Sequence, residues 1–578
     1  MYHFVDLTHE QKLQRREYLD YYSFLAQISV IVPILAIQCY LLGTWIQRGV
    51  QKQQDLQTPS SPYVKQARLG HGFNVSSLTS RWRVFAWWCG DAVEIAGVYW
   101  GTKGEVIGAG VWTLWLVVLC FLQTGDDYLH MTKRFGIVAA SQLPFHYLLS
   151  LKTPYSPLQL LTRQSHESLI SIHQLLGRII TSLLYGHAIL YLNFYVLSGL
   201  LGTKLQEFYV LCGIFGIIAF TIIGTTALKP VRDWSYRVFY IVHVVLATAL
   251  LPLLYFHVSH IRIYLYETTL IYALNAALRF LNTTNQPGTI TQIPGTTLLD
   301  ITIPTNKPSS KTKWHPGQHA YISLSGHPLL RTFRSNPFTA ASLPSVDGQL
   351  RFIARILDGN TSTLAQNKSF SPNLSLEGPY GLASHPDKLL QYDRILFVAG
   401  GVGATFIGPL YRQLLSDLSP GKGSYRRQKV NFVWVAQSMA DVEWALPGNE
   451  QEREGFAERL RIYITKNTDG IATSSSNGDF TIGEDDEQVP GEEGIELEEQ
   501  KKLMENAAGE KTSSGLSVTA GRPDLTRVVE QVFSQSSSER VAVLVCGPRG
   551  LSRALRRDVG RWVKRGREVW LHNEEFAL

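Results

Sequence analysis

The stretch Leu169–Leu197, LISIHQLLGRIITSLLYGHAILYLNFYVL, decides the fold. It is long enough to cross a hydrocarbon layer about 30 Å thick, which takes roughly 20 helical residues. Arg178 is its one formal charge, and it carries two histidines, His173 and His187. Polar side chains inside a membrane are costly and usually have a task. A second apolar stretch, Val238–His257, repeats the arrangement with His243 and His257, and both pairs are 14 residues apart. Fourteen residues at 100° each return to within about 40° of the same helix face and rise about 21 Å. Each helix therefore offers two imidazoles on one face, one toward each leaflet. His173 is expected opposite His243, and His187 opposite His257. Two stacked bis-histidine sites are what two b-type haems require, because axial imidazoles hold the iron from opposite faces. A single such histidine would read as a helix-packing residue; two equal spacings on alternate spans argue for metal ligation.

Outward from this stretch, further apolar runs lie at Phe24–Ile46, Val106–Leu122, Phe135–Leu151, Phe208–Leu228 and Ile261–Leu281, the last carrying Glu267. Together they predict a multi-pass α-helical membrane domain of about seven spans. Trp87–Trp100 is apolar too, but Asp91 and Glu94 make it interfacial. The first run is too long for a signal-peptide core and lacks a small-residue cleavage pattern, so it is expected to be retained. If the C-terminal half is cytosolic, seven crossings put the N-terminus outside. The cytosolic loops then hold twelve bases, among them Arg48, Lys103, Arg163 and Arg232. The outer segments hold seven, among them Lys133 and Arg134. That bias agrees with positive-inside orientation. Arg178, Arg232 and Arg237 could meet haem propionates or reach for lipid headgroups, and His260 reads as interfacial.

The formal charge is +7, from 54 basic and 47 acidic residues, and charged residues make up only 17% of the chain. The basic excess is scattered over loops between apolar runs rather than gathered with aromatics, which argues against nucleic-acid binding. The five cysteines, Cys39, Cys89, Cys120, Cys212 and Cys546, form no CxxC pair, so neither a disulfide framework nor a zinc site is expected.

Past Asn282 the period changes. Thr297–Ile303, Ala320–Leu324 and Leu350–Ile356 read as antiparallel strands of a small barrel. Arg394–Ala399 reads as a buried strand running into Gly400-Gly401-Val402-Gly403-Ala404-Thr405, followed by a helix to about Leu418 and a strand at Val430–Ala436. Strand, glycine turn and helix in that order make a dinucleotide site: the backbone approaches a pyrophosphate and the helix N-terminus stabilises its charge. Further strands are expected at Arg459–Lys466 and Val541–Val545, the latter ending at Cys546-Gly547-Pro548. The segment 468–518, rich in Gly, Ser and acids, reads as a disordered loop insertion.

These residues resemble the ferric reductase and NADPH oxidase superfamily, and in length and layout the short yeast probable metalloreductases. The resemblance rests on the paired histidines, HPGQH at 315–319, NPFT at 336–339, the GGVGAT turn and the terminal CGP. It implies a β-barrel FAD-binding domain and an α/β nucleotide-binding domain of ferredoxin-reductase type behind the membrane domain. The implied divisions are 1–105, 106–281, 282–390 and 391–578. It also implies that NADPH reduces FAD and that electrons pass singly through two b-type haems to ferric or cupric ions, or to oxygen. Carried over by motif, His315, Pro316, Gly317, Gln318 and His319 would shape the flavin site. Asn336, Pro337, Phe338 and Thr339 would join them, with Asn336 standing where the family has histidine. Arg355, Gly359 and Thr361 would meet the FAD pyrophosphate, with Asn360 in place of a tryptophan, and Glu377–Gly381 matches the next turn. Gly400, Gly401, Gly403 and Thr405 would cradle NADPH phosphates. Cys546, Gly547 and Pro548 would approach the nicotinamide, and Phe576 would cover the flavin ring. Gln437-Ser438 follows the second nucleotide strand where an arginine is expected, leaving Arg412, Arg426 and Arg427 as candidates for the 2′-phosphate.

The resemblance thus implies an NADPH-dependent metalloreductase in the plasma membrane or endoplasmic reticulum, with its dehydrogenase domain cytosolic. Its partners would be membrane lipid and a metal ion or oxygen as acceptor. An oxidase producing superoxide uses the same carriers. A non-catalytic membrane scaffold is the reading from another class, and the four histidines argue against it.

Overall fold

The structure is a computed structural model. It describes every residue except 1, 57–74, 96–97, 154–155, 305–313, 325, 327–332, 368–370, 382–387, 419–428, 449, 467–509, 512–515, 536–538 and 575–578. The chain divides into two compact units, one essentially Met1–Thr284 and the other covering most of Asn285–Ala577.

The first unit is helical: α1 (His9–Ile28), α2 (Ile31–Leu56), α3 (Val75–Cys89), α4 (Lys103–Phe121), α5 (Tyr128–Ser141), α6 (Leu143–Leu149), α7 (His166–Leu197), α8 (Phe208–Thr226), α9 (Tyr236–His257) and α10 (Arg262–Leu281). Side-chain caps start several of them. Thr8 and Gln11 form a capping box on α1, Thr102 and Glu105 form one on α4, and Asp127 accepts from the His130 N–H at the start of α5. Among the described residues, five segments are long and apolar enough to cross a membrane: His9–Ile46, Lys103–Phe121, His166–Leu197, Phe208–Thr226 and Tyr236–His257. The sequence expectation of seven is not met in full, for two reasons. The run Phe135–Leu151 is broken at Gln142, because Pro144 has no N–H to continue the ladder and Gln142 bonds Ala139 O instead. The buried Gln142 amide then donates to Ala26 O and accepts from Trp112 Nε1. The second shortfall, α10, is diluted by Arg262, Glu267, Asn275 and Arg279, and its Glu267 accepts from Gln27 of α1. Arg134, expected on an outer segment, is instead fully buried in α5. It donates to Leu119 O, meets His130 Nε2 and stacks on the Tyr22 ring. The stretch read as interfacial forms a hairpin, β1 (Ala92–Ile95) and β2 (Val98–Thr102).

Among the described residues the second unit begins with two small antiparallel sheets. One holds β3 (Thr283–Pro287), β9 (Asn373–Tyr380), β6 (His319–Leu324) and β7 (Asn336–Thr339); the other holds β4 (Thr289–Gln292), β5 (Leu298–Pro304) and β8 (Gln349–Arg355). An isolated bridge between Ala340 and Phe352 links them. Alternating residues such as Ile301, Ile303, Ile322, Phe352, Leu374 and Leu376 fill the space between.

The rest is a seven-stranded sheet: β10 (Arg394–Gly400), β11 (Lys429–Ala436), β12 (Leu460–Ile464), β13 (Glu510–Lys511), β14 (Ser517–Ala520), β15 (Val541–Cys546) and β16 (Val569–Glu574), in the order β13-β14-β12-β11-β10-β15-β16. All pairings are parallel except β13 with β14. Helices α11 (Ala404–Asp417), α12 (Leu525–Phe533) and α13 (Arg549–Lys564) accompany it. β10 and β15 are buried along their length, as parallel strands covered on both faces must be. The expected disordered insertion shortens at its C-terminal end, where Ser517 and Val518 join β14; most of it lies outside the described residues.

Candidate functional site

In the helical unit the four predicted histidines meet as predicted. The His173 and His243 ring centres are 6.2 Å apart, and those of His187 and His257 are 6.4 Å apart. Two opposed imidazoles, each nitrogen about 2 Å from a shared metal and each ring centre about 1.1 Å beyond, have centres roughly 6.2 Å apart. The spacing thus fits one iron between each pair. Three of the four rings are held through Nδ1: His173 on His146 O (3.0 Å), His187 on Thr132 O (2.9 Å) and His257 on Tyr209 O (2.7 Å). A backbone acceptor at Nδ1 fixes the tautomer and leaves Nε2 free as a ligand. His243 Nδ1 is buried without a partner. Glycines on neighbouring helices make the room, since a Cβ on Gly136 would stand 2.8 Å from the His187 ring and one on Gly213 would run into His257. Arg178 lies over the Trp100 ring, 4.8 Å from its centre, so its cation is engaged by the hairpin. His260 sits in a single turn, Ser259–Ile261, just past α9.

In the second unit the strand order reverses between β10 and β15, and ligands of such sheets sit at the carboxyl ends of the strands at that point. Gly400 ends β10 and Gly401 and Gly403 form the single turn after it, while Cys546 ends β15 and Gly547 and Pro548 follow. The two chain segments touch backbone to backbone. A Cβ on Gly547 would lie 3.0 Å from Gly400, one on Gly400 would lie 2.7 Å from Pro548, and one on Gly403 would collide with the Cys546 carbonyl. Trp434 of β11 donates its indole N–H to Gly401 O at 3.1 Å and pins the turn. The Thr405 hydroxyl is spent on Val402 O, so it braces the turn rather than facing a ligand. Burial pushes the Cys546 thiol well above its usual pKa, and Glu574, opposite it in register, adds to the rise. This is a neutral thiol, not a nucleophile.

The HPGQH segment closes on itself: the His315 N–H donates to the Gln318 side chain (2.8 Å) and the Gln318 N–H to His315 O. Gly317 has φ +85°, and a Cβ there would stand 3.0 Å from the Phe406 ring. His319 opens β6 beside Tyr380, with Thr339 opposite it in the neighbouring strand. Asn336 and Pro337 are exposed on β7, while Phe338 and Thr339 point inward. Arg355 ends β8 with its guanidinium 3.9 Å from where Gly401 would carry a Cβ, and its buried Nε has no partner, as suits a cation awaiting an anion. Gly359 turns the chain with φ +94°. Asn360 ties that turn to Ile322 O, and the buried Thr361 hydroxyl is taken up by Leu357. Arg412 is corrected as a phosphate candidate, because Asp347 holds it through two bonds of 3.0 and 2.9 Å. Arg426, Arg427 and Phe576 lie outside the described residues. Phe406, Trp434 and His572, whose ring stacks on Phe406, were not picked out from sequence; nothing short of the register between β15 and β16 brings His572 to the turn.

Three family models match in order along the chain. They are the ferric reductase like transmembrane component over 135–254, an FAD-binding domain over 289–384 and the ferric reductase NAD binding domain over 392–559. Through its membrane and nucleotide-binding parts the chain thus matches the ferric reductase family. It is a membrane-spanning oxidoreductase with FAD-binding and NAD-binding domains. A protein named probable metalloreductase AIM14 from Meyerozyma guilliermondii is 24% identical over 452 residues, covering 76% of this ferric reductase and 83% of the relative. One named probable cell surface ferric reductase kap2, from Aspergillus oryzae, is 26% identical over 361 residues, or 57% of this chain and 45% of that one. Among solved structures, a flavohemoglobin from Malassezia yamatoensis aligns with 76% of this chain and 96% of its own at 15% identity and a TM-score of 0.35.

Proposed function

We propose that this ferric reductase moves electrons from NADPH through FAD and two b-type haems across a membrane to ferric or cupric ions. The observation carrying this reading is the spacing of the two histidine pairs at one iron's breadth, 6.2 and 6.4 Å. His173 and His243 would hold an inner haem, His187 and His257 an outer one. Arg355 and the Gly359 turn would bind the FAD pyrophosphate, HPGQH and NPFT would frame the flavin, and Gly400–Gly403 would receive the nicotinamide cofactor's phosphates. Phe576 would shield the flavin from water. Bound together, these groups turn a two-electron hydride donor into a source of single electrons, which is what a metal ion accepts.

We read seven crossings, adding the broken α5–α6 segment and α10 to the five long apolar segments: the first, with a cytosolic loop after it, belongs to 1–105, and the other six make up the membrane haem region 106–281. The FAD domain then covers 282–390 and the NADPH domain 391–578, both cytosolic, in a plasma-membrane or endoplasmic-reticulum protein. The test uses sealed vesicles with the dehydrogenase domains outward and a bulky ferric chelate trapped inside. NADPH added outside should reduce the chelate, and His257→Ala should stop it. Persistence after that substitution overturns the transmembrane path, while superoxide formed in place of ferrous chelate assigns the acceptor to oxygen.

A further inference from the structure

One arrangement occurs three times in the helical unit. A histidine ring lies over a backbone carbonyl of a neighbouring helix, in the space where the residue four positions further on would carry its Cβ, and that residue is glycine. His187 reaches Thr132 O beside Gly136, and His257 reaches Tyr209 O beside Gly213. Those are the two outer ligands. The third case involves a histidine outside either pair: His146 of α6 places Nε2 3.1 Å from His173 O, and a Cβ on Gly177 would lie 2.9 Å from that nitrogen. Residues i and i+4 share a helix face, so only glycine leaves this space open.

The His146 ring is also stacked on His173, with centres 3.9 Å apart and planes 11° from parallel. The contact is reciprocal. The last turn of α6 tightens, Ser150 N–H bonding Tyr147 O, so His146 O is free to accept from His173 Nδ1 at 3.0 Å. Across the site His243 packs on the Phe239 ring and its Nδ1 has no hydrogen bond, so the hydrogen bonds that orient this pair are on the His173 side.

We propose that His146 is a positioning residue for the inner haem site, fixing the plane of the His173 imidazole against rotation about its bond to iron. This rests on the haem reading above. The His173 and His243 planes stand 54° apart, whereas those of His187 and His257 stand 90° apart. The angle between axial imidazole planes governs the g-anisotropy of a low-spin ferric haem. The hydrogen bonding of the ligand tunes its reduction potential.

The experiment uses the full chain loaded with haem and FAD, and reads haem stoichiometry, the electron paramagnetic resonance spectrum and the midpoint potential of each haem. His146→Ala removes the stack and the bond to His173 O, and Gly177→Ala drives the ring out of its place while favouring the helix. The double variant His146→Ala/Gly177→Ala refills the vacated space with a methyl group and controls for folding. All three should keep the outer haem's signal and shift the g-maximum and midpoint of the inner one. His146→Phe, which keeps an aromatic ring without the bond, should shift both less than His146→Ala. Two haems with unshifted signals in the double variant overturn the proposal. So does a loss of the inner haem in His146→Phe together with its retention in His173→Ala, which would make His146 the ligand. An unaltered chain that shows fewer than two haem signals defeats the haem reading instead.

Discussion

Gly136 and Gly213 matter for what they lack. Each leaves the space in which an outer imidazole lies against a neighbouring helix, His187 for one and His257 for the other. Gly136→Ala and Gly213→Ala are each expected to remove about half of the b-type absorbance while leaving FAD reduction by NADPH intact, since one of two bis-histidine sites is disturbed. Difference spectra of membranes, normalised to bound FAD, measure it. Cys546 gives a second expectation at this scale. Burial first, and Glu574 second, hold its thiol protonated through neutral pH. Iodoacetamide should therefore leave Cys546 unmodified in the native protein between pH 7 and about 9, and label it only on unfolding, as peptide mass spectrometry will report. The four histidines were legible because their spacing along two helices is itself the signal. His146 was not, because what marks it lies on another helix: Gly177 beside it and the His173 carbonyl beneath it.

At the scale of elements, β12 and β14 are parallel neighbours, and such strands need a crossover of roughly a dozen residues. The chain between Ile464 and Ser517 is far longer than that. Deleting 470–505 should leave NADPH-to-FAD transfer within a few-fold, and loss of bound FAD would show the segment to be structural. At the start of β10, the buried Arg394 and the neighbouring Lys429 of β11 meet Glu539 just before β15. Burial alone would raise the Glu539 pKa, but the bond and charge of Arg394, helped by Lys429, outweigh it and leave the carboxyl below its usual value. Its folded pKa being depressed, the stabilisation is fully present above the ordinary carboxylate pKa, about 4.3, and fades as pH falls through the lower folded value. Glu539→Gln should cost on the order of 2 kcal/mol at pH 7, with a weaker acid dependence below about pH 4, measured by thermal unfolding of the second unit's transition. The strands of this half were read from alternation and buried runs such as Ile395–Val398. The break at Gln142 and the hairpin before Thr102 were missed, because hydropathy averages across a broken helix and a two-strand turn alike.

For the whole molecule, the function proposed above assigns the two units separable halves of one reaction. Gly403→Val sets a side chain against the Cys546 carbonyl and should abolish NADPH oxidation, yet dithionite should still reduce the full haem content. Failure of dithionite to do so would mean that the haem sites depend on the integrity of the nucleotide domain. Crossing number was the least legible property. Among the described residues five segments satisfy length and apolarity together, whereas α10 carries Glu267 and the α5–α6 run carries a proline.

The contact between the ends of β10 and β15 bears on how this protein tolerates change. At Gly403 and Gly547 the chain's own main-chain atoms occupy the ground that any side chain would need, and at Gly400 the Pro548 ring does. In a saturation-mutagenesis map these three glycines would therefore stand out as points of intolerance set by shape alone, apart from the charge that Arg355 brings beside Gly401. A comparison keyed to acids and bases would register Arg355 there and pass over the glycines that let the two strand ends meet.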